Sequence, residues 1–397
     1  MLLPALRSLF SDADVASLID LRRDLHRHPE LSWKETRTAD RLAHALSALG
    51  AVEVTRVAGT GVVARFAGRE RGAPVVAVRG DIDALPIEEA TGLPFASSSP
   101  GVMHACGHDV HSTWAIGAAL LLSRQPARGD VLVVMQPAEE VGEGAKAILE
   151  TGILNDVRAI FGGHVDRRFA VGQIVADDGP LAASADTFEI ELVGKGAHGA
   201  RPHESADPIV GAAALISALQ TIVARRLDPA AAAVVTVGSI HSGTAPNIIP
   251  ERAVLTGTLR ATTPETRAAI GTEVRRIAQS VAESYRLTAR ATVHLGTPPI
   301  VNPSGPAAWA RQAAAAVLGD AAVVPFGVTN MGGEDFAFYL ERIPGCFMRV
   351  GAREEGGERL AAHSPRFTAA EESIFVGAAV LAEAARVAST ALGGGAA

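Results

Sequence analysis

In the segment Pro74-Val-Val-Ala-Val-Arg-Gly-Asp-Ile-Asp83 an apolar, strand-like run leads directly into a pair of carboxylates. Short apolar, β-branched runs of this kind recur along the first half of the chain, at 61–66, 74–78, 130–135 and 158–162. Segments of helical periodicity lie between them, at about 109–123 and 143–151. Continuous apolar strands that alternate with helices are typical of a mostly parallel sheet covered by helices. The sequence therefore predicts an α/β fold.

Polar residues follow these strands at the point where each is expected to end. They are Asp81, Asp83, Glu139, Glu140, His164 and, after the apolar run 346–351, His363. In open α/β sheets ligands bind in the crevice outside the carboxyl ends of the strands. We therefore expect these scattered residues to converge on one edge of the sheet.

The segment His104-Ala-Cys-Gly-His-Asp109 adds a thiol and further imidazoles at the start of a predicted helix. Thiolate, imidazole and carboxylate together suit a borderline-soft divalent cation such as zinc. Neighbouring residues at a strand end point to opposite sides, so Glu139 and Glu140 favour one ligand and one general base. Considered alone, the cysteine could be an inert buried residue, a histidine could be an ordinary core residue, and the glutamate pair could belong to a solvated acidic loop.

A second region, residues 183–295, has a different order of elements: strand, helix, strand, strand, helix, strand. This is the ferredoxin-like βαββαβ pattern. We therefore expect residues 1–182 and 296–397 to form a catalytic metal-binding domain, interrupted by a lid or dimerisation domain at 183–295. Helices are expected to resume at 305–318, 333–342 and 368–390, with strands near 321–326 and 346–351.

Composition excludes several classes of function. The 397 residues carry a net charge of -7 without a dense basic run, so nucleic acid is not an expected partner. The longest apolar stretch, 114–122, is far shorter than the ~20 residues that span a bilayer, so no membrane association is expected. Two cysteines cannot form a disulfide framework, and the N-terminus does not resemble a signal peptide. A cytoplasmic location is therefore expected.

The second region also carries polar residues that suit a substrate carboxylate. His198 lies in a glycine-rich loop, Asn247 lies in Pro246-Asn-Ile-Ile-Pro250, and Arg260 ends a predicted strand. An arginine and an asparagine together can hold a carboxylate through bidentate and amide hydrogen bonds.

Taken in order along nearly the whole chain, these motifs resemble the M20 metallopeptidase family. The motifs are Leu25–Ser32, Gly80–Ile87, His104–Asp109, Gln136–Glu140, Gly194–His203, Asn247–Pro250 and Gly332–Phe336. They are most similar to the amidohydrolase branch of N-acyl-amino-acid, hippurate and auxin-conjugate hydrolases. Peptidase branches of the family have a histidine where this chain has Asp81 and an aspartate where it has Cys106, which favours the amidohydrolase branch.

The resemblance implies a binuclear metal site and assigns roles to its residues. The implied metal ligands are Cys106, His108, Glu140, His164 and His363, with Cys106 bridging two divalent ions. Zinc is the first expectation for these ions, with manganese, cobalt or nickel as alternatives. Glu139 would be the general base, Asp83 would support His108, and His198 would reach the active site of a partner subunit in a homodimer or higher homo-oligomer. Asn247 and Arg260 would lie near the substrate carboxylate.

The expected reaction is hydrolysis of the amide bond of an N-acyl amino acid by a metal-activated water. The nearest alternative is a dipeptidase or carboxypeptidase that uses the same site. A thiol hydrolase with Cys106 as nucleophile is a second alternative, although it leaves Glu140, His164 and His363 without a role. A third is a binding protein that keeps the fold without turnover.

Overall fold

A computed structural model of the chain describes residues 2–327 and 330–394. Its helices are α1 (Asp12–Arg27), α2 (Thr36–Ala48), α3 (His108–Arg124), α4 (Gly144–Glu150), α5 (Pro208–Leu219), α6 (Pro264–Ser284), α7 (Ser304–Leu318), α8 (Ala337–Leu340) and α9 (Glu372–Gly393). Its strands are β1 (Glu53–Val57), β2 (Gly61–Phe66), β3 (Val75–Asp81), β4 (Val131–Gln136), β5 (Val157–Ala170), β6 (Ile174–Val175), β7 (Gly179–Ala182), β8 (Ala185–Val193), β9 (Ala197–His198), β10 (Ala233–Ser242), β11 (Ile248–Ile249), β12 (Arg252–Ala261), β13 (Thr288–Thr297), β14 (Ile300–Asn302) and β15 (Gly345–Arg353). These elements belong to two compact units.

The first unit comprises the residues up to Gly179, the segment Asn302–Gly327 and the residues from Asp335 onward. Its seven-stranded sheet has the order β1-β2-β4-β3-β5-β15-β6. The four central strands, β4, β3, β5 and β15, are mutually parallel, and the outer strands add antiparallel pairs. The predicted α/β fold is thus confirmed, with a sheet that is parallel at its centre and mixed overall.

Burial explains why the central strands are continuously apolar. All six residues of β4 are buried, as are six of the seven residues of β3. Helices α3 and α9 pack against each other and against β3 and β5. A strand in such a place has no solvent-facing side, so it does not alternate between apolar and polar residues.

Helix α9 is the one described helix that is long and apolar enough to cross a membrane. However, 72% of its most apolar window is buried inside the protein. Its apolar residues therefore contribute to the core around the central sheet.

The second unit comprises Pro180–Val301 and a short segment that ends at Glu334. Its four-stranded antiparallel sheet has the order β10-β12-β8-β13, which is the arrangement of a ferredoxin-like βαββαβ unit. Burial along β8 alternates, with Phe188, Ile190 and Leu192 packed against α5 and α6. This alternation is typical of a sheet with one covered face.

Three local predictions differ from the structure. The helix expected at 333–342 is limited to α8, Ala337–Leu340. The strand expected at 158–162 continues as β5 to Ala170, because β15 pairs with it beyond that point, and His164 therefore lies inside a strand. The strand expected near 321–326 is absent from the described residues, where a 3-10 turn at Asp320–Ala322 and an isolated bridge at Val323 stand instead. Pro325 removes a backbone donor there, which disfavours a continuous ladder.

Candidate active site

The predicted ligands meet at the carboxyl edge of the central sheet. The Sγ atom of Cys106 lies 3.1 Å from Nε2 of His164. These two atoms and a ring nitrogen of His108 lie within 4.8 Å of one another. Cys106 and His108 can approach the same point because Gly107 between them adopts a left-handed φ of 93°. A Cβ at Gly107 would lie 2.5 Å from Val165, so only glycine fits this turn.

Cys106 also belongs to a second cluster, which contains Glu140 and His363. Nε2 of His363 lies 3.5 Å from a carboxylate oxygen of Glu140. His363 has a positive φ of 66°, and its backbone N–H donates to the carbonyl of Ala105 over 2.8 Å. This bond ties the loop of His363 to the segment that precedes Cys106.

Two buried atoms of these clusters are without a hydrogen-bond partner, as expected of side chains that bind metal ions. They are Nε2 of His108 and Oε1 of Glu140, which lie 3.7 Å apart. An unpaired buried polar atom normally costs free energy, and a cation removes that cost. The donor set of one thiol, three imidazoles and one carboxylate suits divalent transition metals. Because the two clusters share Cys106, the residues fit a pair of ions with Cys106 between them.

Glu139 faces the same space as these clusters. One of its oxygens, Oε2, lies 3.8 Å from Nε2 of His108, and its other oxygen accepts a 3.4 Å hydrogen bond from the backbone N–H of Asp335. The preceding residue, Ala138, has a positive φ of 52°. Glu35 holds that strained residue through a 2.9 Å hydrogen bond from the Ala138 N–H. A carboxylate in this place can exchange a proton with a water between the clusters.

Asp83 contacts a residue of each cluster, His108 of the first and Glu140 of the second. Its Oδ1 lies 3.2 Å from Nδ1 of His108, and its Oδ2 accepts from Ser32 Oγ and from the Glu140 N–H. Burial would raise the pKa of Asp83, but the hydrogen bonds from His108 and Ser32 outweigh it and keep the pKa below its usual value. Asp83 therefore fixes which ring nitrogen of His108 faces the cluster.

The environment of Cys106 does not suit a thiol nucleophile. Burial, together with the charge of Glu140, raises the pKa of the Cys106 thiol well above its usual value. Catalytic cysteines need a lowered pKa, which they obtain from a partly exposed, electropositive setting. A metal ion, by contrast, removes the thiol proton on binding. The geometry thus favours Cys106 as a ligand.

Sequence reasoning missed a second layer of side chains behind the ligands. His111, one helical turn after His108, contacts Asp81 at 2.7 Å through Nδ1 and accepts from the Val165 N–H through Nε2. It also stacks on Trp114. The backbone next to His164 is thereby held against α3. A histidine one turn after a ligand on a helix is a signal that could have indicated this role.

The start of α3 is fixed by a buried network that includes two residues of α1, Arg22 and His26. Asp109 accepts from Arg22 over 2.7 Å and contacts His26 Nδ1 at 2.9 Å. The other ring nitrogen of His26 lies 3.2 Å from Glu89, which also accepts from the Ser97 N–H over 2.7 Å. These contacts hold the helix whose first residue is His108.

Replacing Glu89 with Gln tests this network through pH. Burial alone would raise the pKa of Glu89. The hydrogen bonds with His26, Thr91 and Ser97 outweigh burial and lower this pKa from 4.5 to about 2. A lowered carboxyl pKa stabilises the fold above the unfolded value, and that stability is lost as pH falls through the folded value. We expect Glu89→Gln to lower the free energy of unfolding by roughly 1.5–3 kcal/mol at pH 7. Urea titrations at several pH values should show this difference shrinking from pH 4.5 toward 2. A difference independent of pH would argue against the assignment.

The remaining predicted site residues lie in the second unit. His198 is in β9, which pairs with β11 directly after Asn247, and the Gly199 N–H donates to the Asn247 carbonyl over 2.8 Å. The structure thus brings His198 and Asn247 together, and both are exposed. Arg260 lies near the end of β12, paired with Val234 of β10, and is half-buried.

Comparison with known proteins identifies the family. The profile of peptidase family M20/M25/M40 matches residues 77–387. The chain is 43% identical over 372 residues to an N-acetylcysteine deacetylase of Bacillus subtilis, covering 93% of this chain and 96% of the relative. It is 36% identical over 370 residues to thermostable carboxypeptidase 1 of Saccharolobus solfataricus, covering 91% and 92%. The crystal structure of the Bacillus subtilis YxeP protein, described as a dinuclear metal-binding peptidase of the M20 family, superposes with a TM-score of 0.85 at 38% identity, covering 96% of this chain and 99% of that one. The chain therefore belongs to peptidase family M20/M25/M40.

Proposed function

We propose that this metal-dependent amidohydrolase hydrolyses the amide bond of N-acyl amino acids, with Glu139 as the general base. The observation that carries the proposal is the pair of ligand clusters that share Cys106, with the Glu139 carboxylate facing them. The similarity to an N-acetylcysteine deacetylase supports a small acyl amino acid as substrate. The products would then be the free carboxylate of the acyl group and a free amino acid.

In this proposal Cys106, His108, Glu140, His164 and His363 hold two divalent ions, with zinc as the first candidate and manganese, cobalt or nickel as alternatives. When bound, the ions supply a Lewis acid and lower the pKa of water in the site. Asp83 orients the imidazole of His108 and, through the Glu140 N–H, the loop that carries both glutamates.

Glu139 accepts a proton from the water while the water attacks the amide carbonyl. Glu139 then gives that proton to the departing amine. Its Oε2 lies 3.8 Å from Nε2 of His108, on the side of the ligand clusters, and its Oε1 accepts from the Asp335 N–H. Oε2 is therefore the oxygen that we propose takes up and returns the proton.

Roles are also proposed for three residues of the second unit. His198 would stabilise the oxyanion, and Asn247 and Arg260 would bind the substrate carboxylate. Support comes from the pairing of β9 with β11, which places the exposed residues His198, in β9, and Asn247, directly before β11, next to each other. We also propose that this unit forms a homodimer or higher homo-oligomer, and that the protein is cytoplasmic, which fits two buried free cysteines.

A dipeptidase or carboxypeptidase activity of the same site is the second candidate, favoured by the similarity to thermostable carboxypeptidase 1. A substrate panel separates the two. N-acetylcysteine, N-acetylmethionine and hippurate would be compared with dipeptides and with N-blocked dipeptides by following release of the free amine. We expect the highest kcat/KM for an N-acyl amino acid. A dipeptide preferred by tenfold or more would overturn the proposed substrate class.

A further inference from the structure

The motif Gly332-Gly-Glu-Asp-Phe336 has no role in the proposed mechanism, yet its aspartate lies at the centre of a buried polar cluster. The carboxylate of Asp335 is fully buried. It accepts from Arg79 Nη2 over 3.1 Å, from Gln136 Nε2 over 2.8 Å, and from the Ala145 N–H over 3.0 Å. Arg79 and Gln136 are also fully buried, and Arg79 Nε donates to Gln136 Oε1 over 2.9 Å.

These donors stand at both ends of one loop. Gln136 is the last residue of β4, and Ala145 is in the first turn of α4. The loop between them carries Glu139 and Glu140. The carboxylate of Asp335 therefore forms hydrogen bonds with both ends of this loop. Gly144 permits this arrangement, because a Cβ there would overlap the Pro137 carbonyl.

The backbone of Asp335 also contacts the proposed general base directly. Its N–H donates to Oε1 of Glu139 over 3.4 Å. The direction of that N–H depends on the peptide of Asp335, which the side chain anchors through Arg79, Gln136 and Ala145. The side chain and the amide of one residue thus fix the loop and the carboxylate at its tip.

From this geometry we infer that Asp335 is a positioning residue for Glu139. Its buried carboxylate fixes the loop from Gln136 to Ala145, and its amide sets the direction of the Glu139 carboxylate. The inference rests on the proposed function, in which Glu139 is the base. Arg79 supplies the charge that makes the buried Asp335 carboxylate tolerable, and it also pairs with Asp81.

The test is a double-mutant cycle between Asp335→Asn and Glu139→Gln. Asparagine keeps the shape of the side chain but puts an NH2 group where one acceptor stood, opposite a donor. We expect Asp335→Asn to lower kcat by about 10–100-fold, the usual effect of a group that orients a reacting residue, with little change in KM. In the Glu139→Gln background the same substitution should change kcat by no more than about twofold, since the two act as one unit.

Readouts other than turnover exclude general damage. Metal content and the visible absorption spectrum of the cobalt-loaded protein should be the same in Asp335→Asn and in the parent. The matched control is Asp130→Asn, which removes a half-buried carboxylate at the opposite end of β4 that is held by Arg65 and the Gly68 N–H, both over 2.9 Å. This control should leave kcat and KM unchanged.

If Asp335→Asn does not fold, Gln136→Met removes the donor that Asp335 shares with the loop and keeps the pair with Arg79. We expect the same fall in kcat alone and the same lack of effect in the Glu139→Gln background. Normal kcat in the folded variant, an equal loss in both backgrounds, or a loss that follows metal content would overturn the positioning role. Near-normal turnover of Glu139→Gln itself would instead overturn the proposed function.

Discussion

Replacing Glu139 with Gln is expected to lower kcat by 10²–10⁴-fold, the usual size of a general-base contribution. Glutamine keeps the length of the side chain and the acceptor for the Asp335 N–H, but it cannot take a proton. Because Glu139 lies beside the shared clusters and is not required to complete either of them, both metals should remain bound. Steady-state kinetics on an N-acyl amino acid and metal analysis of the same sample measure both effects.

Glu143→Gln provides the matched control for this substitution. Glu143 belongs to the same loop, is exposed, and accepts from the Trp33 indole over 2.8 Å. The Glu143→Gln substitution removes the same charge but leaves the groups that face the clusters unchanged. We therefore expect kcat to stay within about twofold of the parent, as is usual for exposed sites. Near-normal turnover of Glu139→Gln would show that another group is the base.

Removal of the metals is expected to abolish hydrolysis, with a loss of about 10³-fold or more, because a bound cation contributes several kcal/mol to the transition state. Burial raises the pKa of the Cys106 thiol, so this thiol is not expected to replace the metals by acting as a nucleophile. Dialysis against a chelator followed by assay measures the loss, and addition of zinc or manganese should restore activity. Activity that survives chelation but is lost on alkylation of Cys106 would favour the thiol hydrolase.

The sequence was sufficient to predict that these side chains converge, because its signals are local. Cys106 and His108 lie two residues apart at a helix start, and Glu139 and Glu140 directly follow an apolar strand. The parallel order of β4, β3, β5 and β15 then brings their carboxyl ends to one edge. This convergence follows from the handedness and connectivity of parallel sheets.

The supporting layer could not be predicted from the sequence, because its contacts join distant segments. Asp335 is 256 residues from Arg79 and 199 from Gln136, and no periodicity indicates which buried charges will pair. Ser32, which donates to Asp83 over 2.7 Å, lies outside any strand of the central sheet. The continuation of β5 through His164 also depended on β15, which is far along the chain.

Metal content of the purified protein, measured by mass spectrometry together with hydrolysis of N-acetylcysteine by the same sample, shows whether activity depends on a binuclear metal site. The two clusters that share Cys106, and the similarity to a dinuclear M20 protein, predict two divalent ions per chain and an activity that rises and falls with them. Metal-free protein that hydrolyses the substrate at full rate would show that hydrolysis does not depend on metals.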